Sequence, residues 1–178
     1  MRGINVGGKN KVPMADRRQH LEELGFSNGT TYRASGTVML KSDKRAREIT
    51  ARIENALLKR CTRDDGRIRV EVLTRKHHNA VIDHGLRGFG EQPEHYHSDA
   101  RFLMGTDSAQ AIPVFNPREG VNTIWPGDGV ICSQRLRSKR TKSRLNTIIA
   151  TPEYTSMTIR SWSTTRARTI KKQMPRQA

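Results

Sequence analysis

Thr30-Thr31-Tyr32-Arg33-Ala34-Ser35-Gly36-Thr37-Val38-Met39-Leu40 reads as two strands broken at Ser35-Gly36, and the elements on either side of it decide the fold class. On the N-terminal side, Pro13 opens a helix at its first position, where a missing N–H costs nothing. That helix runs to Leu24, where Gly25 suits a left-handed stop. Its Met14, Leu21 and Leu24 share one face. On the C-terminal side, Ser42 or Asp43 caps a second helix, in which Ala46, Ile49, Ile53, Ala56 and Leu57 recur at a spacing of three to four. Residues 67–74 then alternate Ile68, Val70 and Val72 with charged side chains, the pattern of a half-buried strand. The order is helix, strand, strand, helix, strand. A strand before Pro13 completes the βαββαβ ferredoxin-like unit, and residues 1–6 supply a stub of one. Both helices are expected on one face of a sheet that includes residues 30–40 and 67–74.

The second half partly repeats the order. Residues 100–104 read as a strand and 108–114 as a short helix. Residues 122–125 and 129–133 flank Pro126-Gly127-Asp128, a turn signature that predicts a hairpin. Residues 138–149 predict a helix with Leu145, Ile148 and Ile149 on one side and basic groups on the other. Residues 156–162 read as a strand and 164–174 as a last helix. The expected architecture is α+β, two ferredoxin-like halves over residues 1–84 and 95–178, the first lacking most of its first strand.

Composition bounds the function. Of 178 residues, 33 are Lys or Arg and 17 are Asp or Glu, a formal net charge of +16. Residues 1–132 carry 21 basic and 16 acidic side chains, and residues 133–178 carry 12 and one, Glu153, so the last quarter holds most of the excess. Leu, Ile, Val and Phe number 35, a modest core. No apolar run approaches the ~18 residues of a membrane span, and no stretch of signal-peptide length opens the chain. Two cysteines, Cys61 and Cys132, do not make a disulfide scaffold. A soluble, cytoplasmic protein without a membrane partner is expected.

Two segments have the makings of an anion site. Gly7-Gly8-Lys9-Asn10-Lys11 lies just before a helix N-terminus, where free N–H groups and the helix dipole favour an anion. The spacing is not that of a Walker A loop, and a tight solvated turn is the alternative. In Arg135-Leu136-Arg137-Ser138-Lys139-Arg140-Thr141-Lys142-Ser143-Arg144, helical spacing brings Arg137, Arg140 and Arg144 to one face. Such a stripe suits a phosphate backbone, with Tyr154 and Trp162 as stacking platforms; a solvated charged face is the alternative. Six histidines include His95-Tyr96-His97, whose rings share a side on a strand, but no Cys or carboxylate completes a zinc spacing. Cys61 beside Lys59-Arg60 lacks a placed His partner, and Ser35 sits in Ala-Ser-Gly rather than a nucleophile elbow. No metal or cofactor is expected.

The run Arg2-Gly3-Ile4-Asn5-Val6-Gly7-Gly8-Lys9-Asn10-Lys11-Val12-Pro13-Met14 resembles the N-terminal signature of a bacterial family known as domain of unknown function 1697. Thr31-Tyr32-Arg33-Ala34-Ser35-Gly36-Thr37-Val38, Arg140-Thr141-Lys142-Ser143-Arg144-Leu145-Asn146 and the stretches Thr151-Pro152-Glu153-Tyr154 and Arg160-Ser161-Trp162-Ser163-Thr164-Thr165 are similar to its later motifs, in the same order. The resemblance implies an α+β fold of ferredoxin-like character and no assigned activity. The chain departs from the family pattern at several points. Met1 stands where a first-strand Leu is usual, and Ser35-Gly36-Thr37 replaces Ser-Gly-Asn. Arg17, Arg101 and Arg168 occupy usually apolar positions. An Arg on a core face must snorkel or lose hydration, so part of the positive charge is read as eroded core.

The expected function is binding of a phosphate-bearing ligand, a nucleotide or nucleic acid. Asn5, Gly7, Gly8, Lys9, Asn10, Lys11 and Ser35 form one candidate set and Arg140, Arg144 and Arg160 the other. An enzyme acting on a small phosphorylated metabolite, and a degraded copy without activity, are the alternatives.

Overall fold

The chain divides into two units, Met1–Thr74 and Arg75–Ala178. The computed structural model describes residues 1–4, 12–26, 30–32, 36–60, 68–83, 86 and 88–166.

In the first unit, helix α1 spans Met14–Glu23. Pro13 is its N-cap, with extended ψ of 152°, and not its first helical residue. Gly25, at φ +80°, ends it as the sequence predicts. Strands β1 (Thr30–Tyr32) and β2 (Thr37–Met39) pair antiparallel, with Tyr32 opposite Thr37. Gly36, at φ +80°, sits so close to Ile4 that a β-carbon would lie 2.9 Å from its Cδ1. The Met1 ammonium donates to the Gly36 carbonyl at 3.1 Å. Helix α2 runs Ala46–Arg60. The expected cap from Ser42 or Asp43 is not what starts it. The Ser42 hydroxyl accepts from Lys44 N at 3.1 Å, and the Arg45 carbonyl takes the first helical N–H groups.

Ile49, Ile53 and Leu57 of α2, Leu21 of α1, and Ile4, Val12, Phe26, Ile68 and Val70 form one buried cluster. Residues 68–74 do not build the predicted strand. Among the described residues they make a single antiparallel bridge, Arg69 with Arg2, and the Val70 N–H goes instead to the Glu54 carboxylate of α2 at 2.8 Å. Glu54 thus ties helix to segment where a ladder would otherwise do so. Residues 5–11, Ser35, Cys61 and Arg168 lie outside the described residues, as do the side chains of Met14 and Arg17.

The second unit begins with helix α3, Arg75–Asp83, an element the sequence reading lacks. Its His77 Nε2 lies 2.9 Å from the Asp128 carbonyl. Strand β3 (Tyr96–Leu103) follows, then helix α4 (Ser108–Ala111) continuing as a 3-10 turn over Ile112–Phe115. The Asp107 carboxylate caps α4 by accepting from Gln110 N at 2.8 Å. Strands β4 (Asn122–Gly127) and β5 (Val130–Leu136) form the hairpin. Its turn is Asp128-Gly129, with Gly129 at φ +63°, and not Pro126-Gly127-Asp128. Pro126 stays within β4 because β4 is an edge strand, where a missing donor is tolerated. Two 3-10 segments, Arg137–Lys142 and Arg144–Ala150, stand where one α-helix is predicted over residues 138–149, and a third, Pro152–Ser156, follows. Strand β6 (Met157–Ser161) and helix α5 (Trp162–Thr165) complete the description. The predicted last helix thus begins at Trp162, and its residues 167–174 lie outside the described residues.

The sheet has the order β4-β5-β3-β6, antiparallel throughout. Alternation puts Asp99, Arg101 and Leu103 on one face and Ser98, Ala100 and Phe102 on the other. The first face packs Leu103, Ile131 and Met157 against Ala111, Phe115, Leu145 and Ile148 from the helical pieces. Ile149, expected beside Leu145 and Ile148, is 61% exposed. A 3-10 helix has three residues per turn, so residue 148 eclipses 145 and residue 149 points away.

Candidate functional site

Strand alternation places Thr123 and Trp125 of β4, Gln134 and Leu136 of β5 and Tyr96 of β3 on the sheet face opposite the helical pieces. The loop from Gly88 to Gln92 walls this end of the face, and the two enclose a cleft of about 370 Å³. Phe89 fixes the wall. Its ring lies edge-on to Trp125 at 5.4 Å and to Trp162 at 4.8 Å. Gly90, at φ +76°, allows the approach, since a β-carbon there would come within 2.1 Å of the Trp162 ring. The Glu91 carboxylate folds back onto Gly88 N at 3.2 Å.

The cleft pairs aromatic surface with polar groups. Gln134 is 7% exposed and lines it, with a side-chain amide that both donates and accepts. Asn122 borders it along the strand, but its register opposite Arg135 turns the side chain to the other sheet face, where it is 6% exposed. Its Oδ1 accepts from Arg118 N at 3.2 Å. That contact fixes the amide orientation, and Nδ2 is left buried with no hydrogen-bond partner. Ser98, directly opposite Gln134 in the ladder, has a buried Oγ that is likewise unpartnered.

Two cations edge the opening. Leu136 and Gly120 line the cleft. Arg137, next after Leu136, donates from Nε to the Pro93 carbonyl at 2.8 Å, and Lys139 Nζ donates to the Gly120 carbonyl at 3.0 Å. Both side chains are exposed. One contact each leaves further N–H donors on both groups.

The candidate residues read from the sequence fare unevenly. Asn5, Gly7, Gly8, Lys9, Asn10, Lys11 and Ser35 lie outside the described residues. Arg140 and Arg144 are exposed, but Arg137, Arg140 and Arg144 do not form the predicted stripe. The backbone kinks at Lys139 (φ −113°, ψ 25°). Arg137 turns to Pro93, whereas Arg144 Nη1 reaches Asn116 Oδ1 at 3.4 Å. Arg160 is half-buried on β6 and donates from Nη1 to Thr158 Oγ1 at 2.9 Å and to the Ile159 carbonyl at 2.7 Å. Burial pushes its guanidinium below the usual range.

Trp162 is 6% exposed and so is a packing residue rather than a surface stacking platform. Tyr154 is half-buried against the other sheet face. His95 precedes β3, with Nε2 3.9 Å from the Glu94 carboxylate, while His97 Nε2 lies 3.1 Å from Asp99 Oδ1. The two rings therefore do not converge as the strand reading supposed. Among the described residues no group of three or more His, Cys, Asp or Glu is placed to hold a metal ion. Burial pushes the Cys132 thiol up to about 11, with Arg101 pulling it partly back, so it is protonated at neutral pH.

Arg101 is 4% exposed. Its Nη1 donates to Ser133 Oγ, its guanidinium carbon lies 5.3 Å from the Phe115 ring centre, and Nε has no hydrogen-bond partner. Burial pushes its pKa down and Asp99 pulls it partly back. This is an arginine in a core position, as its interruption of an apolar run suggested.

Sequence reasoning missed the cleft. A Gln inside the apolar run of β5, and a Trp two positions from Thr123 on the same face of β4, were the available signals. Neither has a recognised spacing.

No match is found among curated proteins. The solved structure of the conserved bacterial protein SP0830 from Streptococcus pneumoniae is similar, with a TM-score of 0.72 and 25% sequence identity, over 92% of this chain and 91% of that one. No helix among the described residues is long and apolar enough to cross a membrane. The family model described as "Protein of unknown function (DUF1697)" matches residues 1–131, about three quarters of the sequence, and the chain therefore belongs to that family.

Proposed function

We propose that the chain binds a small phosphate-bearing ligand in the cleft of the second unit, with phosphate at the edge formed by Arg137 and Lys139. The observation that carries this reading is the cleft itself: a concave site lined by the Gln134 amide and two aromatic side chains, Tyr96 and Trp125, whose edge carries two cations with donors to spare. An arginine and a lysine at one edge suit a doubly charged phosphate better than a carboxylate.

We also infer that the two units are ferredoxin-like halves. The sheet order of the second unit supports this, since its third strand lies between the first and second and its fourth borders the first. In the first unit, the antiparallel Arg2–Arg69 bridge and the Met1–Gly36 contact suit a first strand lying between segments 68–70 and 36–39.

Calorimetric titration of a mononucleotide into the wild type and the Arg137→Ala/Lys139→Ala double variant tests the binding reading. Charge-assisted contacts contribute about 1.5–3 kcal/mol each, so removal of both cations is expected to weaken binding at least ~100-fold. Equal affinities would overturn it.

A further inference from the structure

We infer that the interior of the cleft receives a nucleobase, so that the ligand is a nucleotide rather than a sugar phosphate or a simple phosphate ester. This rests on the phosphate reading above and adds the identity of the group that enters beneath the cationic edge.

The argument starts from what the lining lacks. Gln134 is more than nine-tenths buried and brings a neutral amide to the cleft, while the charged groups Arg137, Lys139 and Glu91 are exposed at its periphery. A buried neutral lining rejects a second ionised group, which would lose its hydration without a counter-charge. It accepts a neutral ring that has both donors and acceptors on its edge. Gln134 offers a donor and an acceptor on the cleft face of β5. Two flat side chains, Tyr96 and Trp125, flank this amide on the same face.

Aromatic surface beside side-chain amides is the chemistry that recognises an unpaired base, by stacking on its face and hydrogen bonding to its edge. A sugar ring is puckered and has no π face, so it would cover the flat surfaces less fully than a base. The volume of about 370 Å³ lies near the lower end of ligand sites and accommodates one nucleoside, not a run of nucleotides.

The deciding measurement uses the unsubstituted protein. The four ribonucleoside 5′-monophosphates, the four ribonucleosides, ribose 5-phosphate and inorganic phosphate are each titrated by calorimetry. At least one nucleoside is expected to bind measurably. Its nucleotide is expected to bind more tightly, and ribose 5-phosphate at least ~10-fold more weakly than that nucleotide. Ribose 5-phosphate binding as tightly as every nucleotide would overturn the nucleobase assignment while leaving the phosphate reading intact. Nucleoside binding that phosphate does not improve would uphold the base pocket and overturn the phosphate reading. Absence of binding by all of them would overturn both. Gln134→Leu is expected to weaken nucleoside and nucleotide alike by ~10-fold or more without changing ribose 5-phosphate binding. Gln134→Met, which keeps the side-chain length and adds no charge, makes the same comparison should the leucine variant fail to fold. Unchanged nucleoside affinity in a folded Gln134 variant would overturn the role given to that amide.

Discussion

Arg101 shows what one misplaced charge does inside a sheet. It points into the same apolar layer as Leu103, Ile131 and Phe115, with one hydrogen bond to Ser133 and an orphaned Nε. Such a guanidinium has surrendered its hydration for partial compensation. Replacing it with an unbranched apolar side chain of similar length removes that cost, and Asp99 keeps His97 at 3.1 Å. Arg101→Met is therefore expected to stabilise the protein by about 1–3 kcal/mol, a rise of a few degrees in Tm. A thermal melt at pH 7 checks it, and an unchanged or lower midpoint counts against the account. This residue was legible in the sequence because a charge broke an apolar run. Asn122 and Gln134 were not. A polar residue in a strand is normally solvent-facing, and only the segments packed on each face of the sheet decide that these two are buried.

At the scale of elements, α3 carries a pH dependence. His78 is half-buried, and its Nδ1 has no hydrogen-bond partner. Burial lowers its pKa, and the neighbouring His77 lowers it further. The folded chain thus refuses a proton that the unfolded chain accepts near pH 6.5. Stability from this group is full above that pH and is lost as pH falls from 6.5 toward the lowered folded value. His78→Gln keeps a polar side chain but cannot titrate. The loss of Tm between pH 7.5 and pH 5.5 is expected to be smaller in His78→Gln than in the wild type. Equal losses would assign the acid sensitivity elsewhere. The elements themselves were unevenly legible. Helix α2 declared itself through Ile49, Ile53 and Leu57, all of which are buried. Residues 138–149 did not, because apolar spacing cannot tell an α-helix from successive 3-10 turns. The difference appears only at Ile149, which an α-helix would bury. Residues 68–74 alternate like a strand, yet Glu54 takes the N–H of Val70, a long-range contact that no local pattern announces.

For the molecule as a whole, a formal charge of +16 concentrated toward the C-terminus invites a nucleic-acid reading. The geometry argues for something smaller. A helical stripe would align Arg137, Arg140 and Arg144 along a phosphate backbone, but the kink at Lys139 and the separate contacts of Arg137, Lys139 and Arg144 disperse them. Two cations remain beside the cleft, and the rest of the excess contributes a diffuse field that salt screens with a Debye length of about 8 Å at physiological ionic strength. The two arrangements differ in how binding responds to salt. A polyanion spread over many cations releases many counterions, whereas a ligand held by two releases few. The logarithm of mononucleotide affinity against the logarithm of salt concentration is therefore expected to fall with a slope of magnitude about 2 or less. Arg140→Ala, which removes an exposed charge of the same segment, is expected to change affinity by less than ~3-fold, while Arg137→Ala weakens it by ~10-fold or more. A slope of magnitude about 4 or greater, or equal losses in the two variants, would return the charge of this segment to a general attraction for anions and remove the cleft from its explanation.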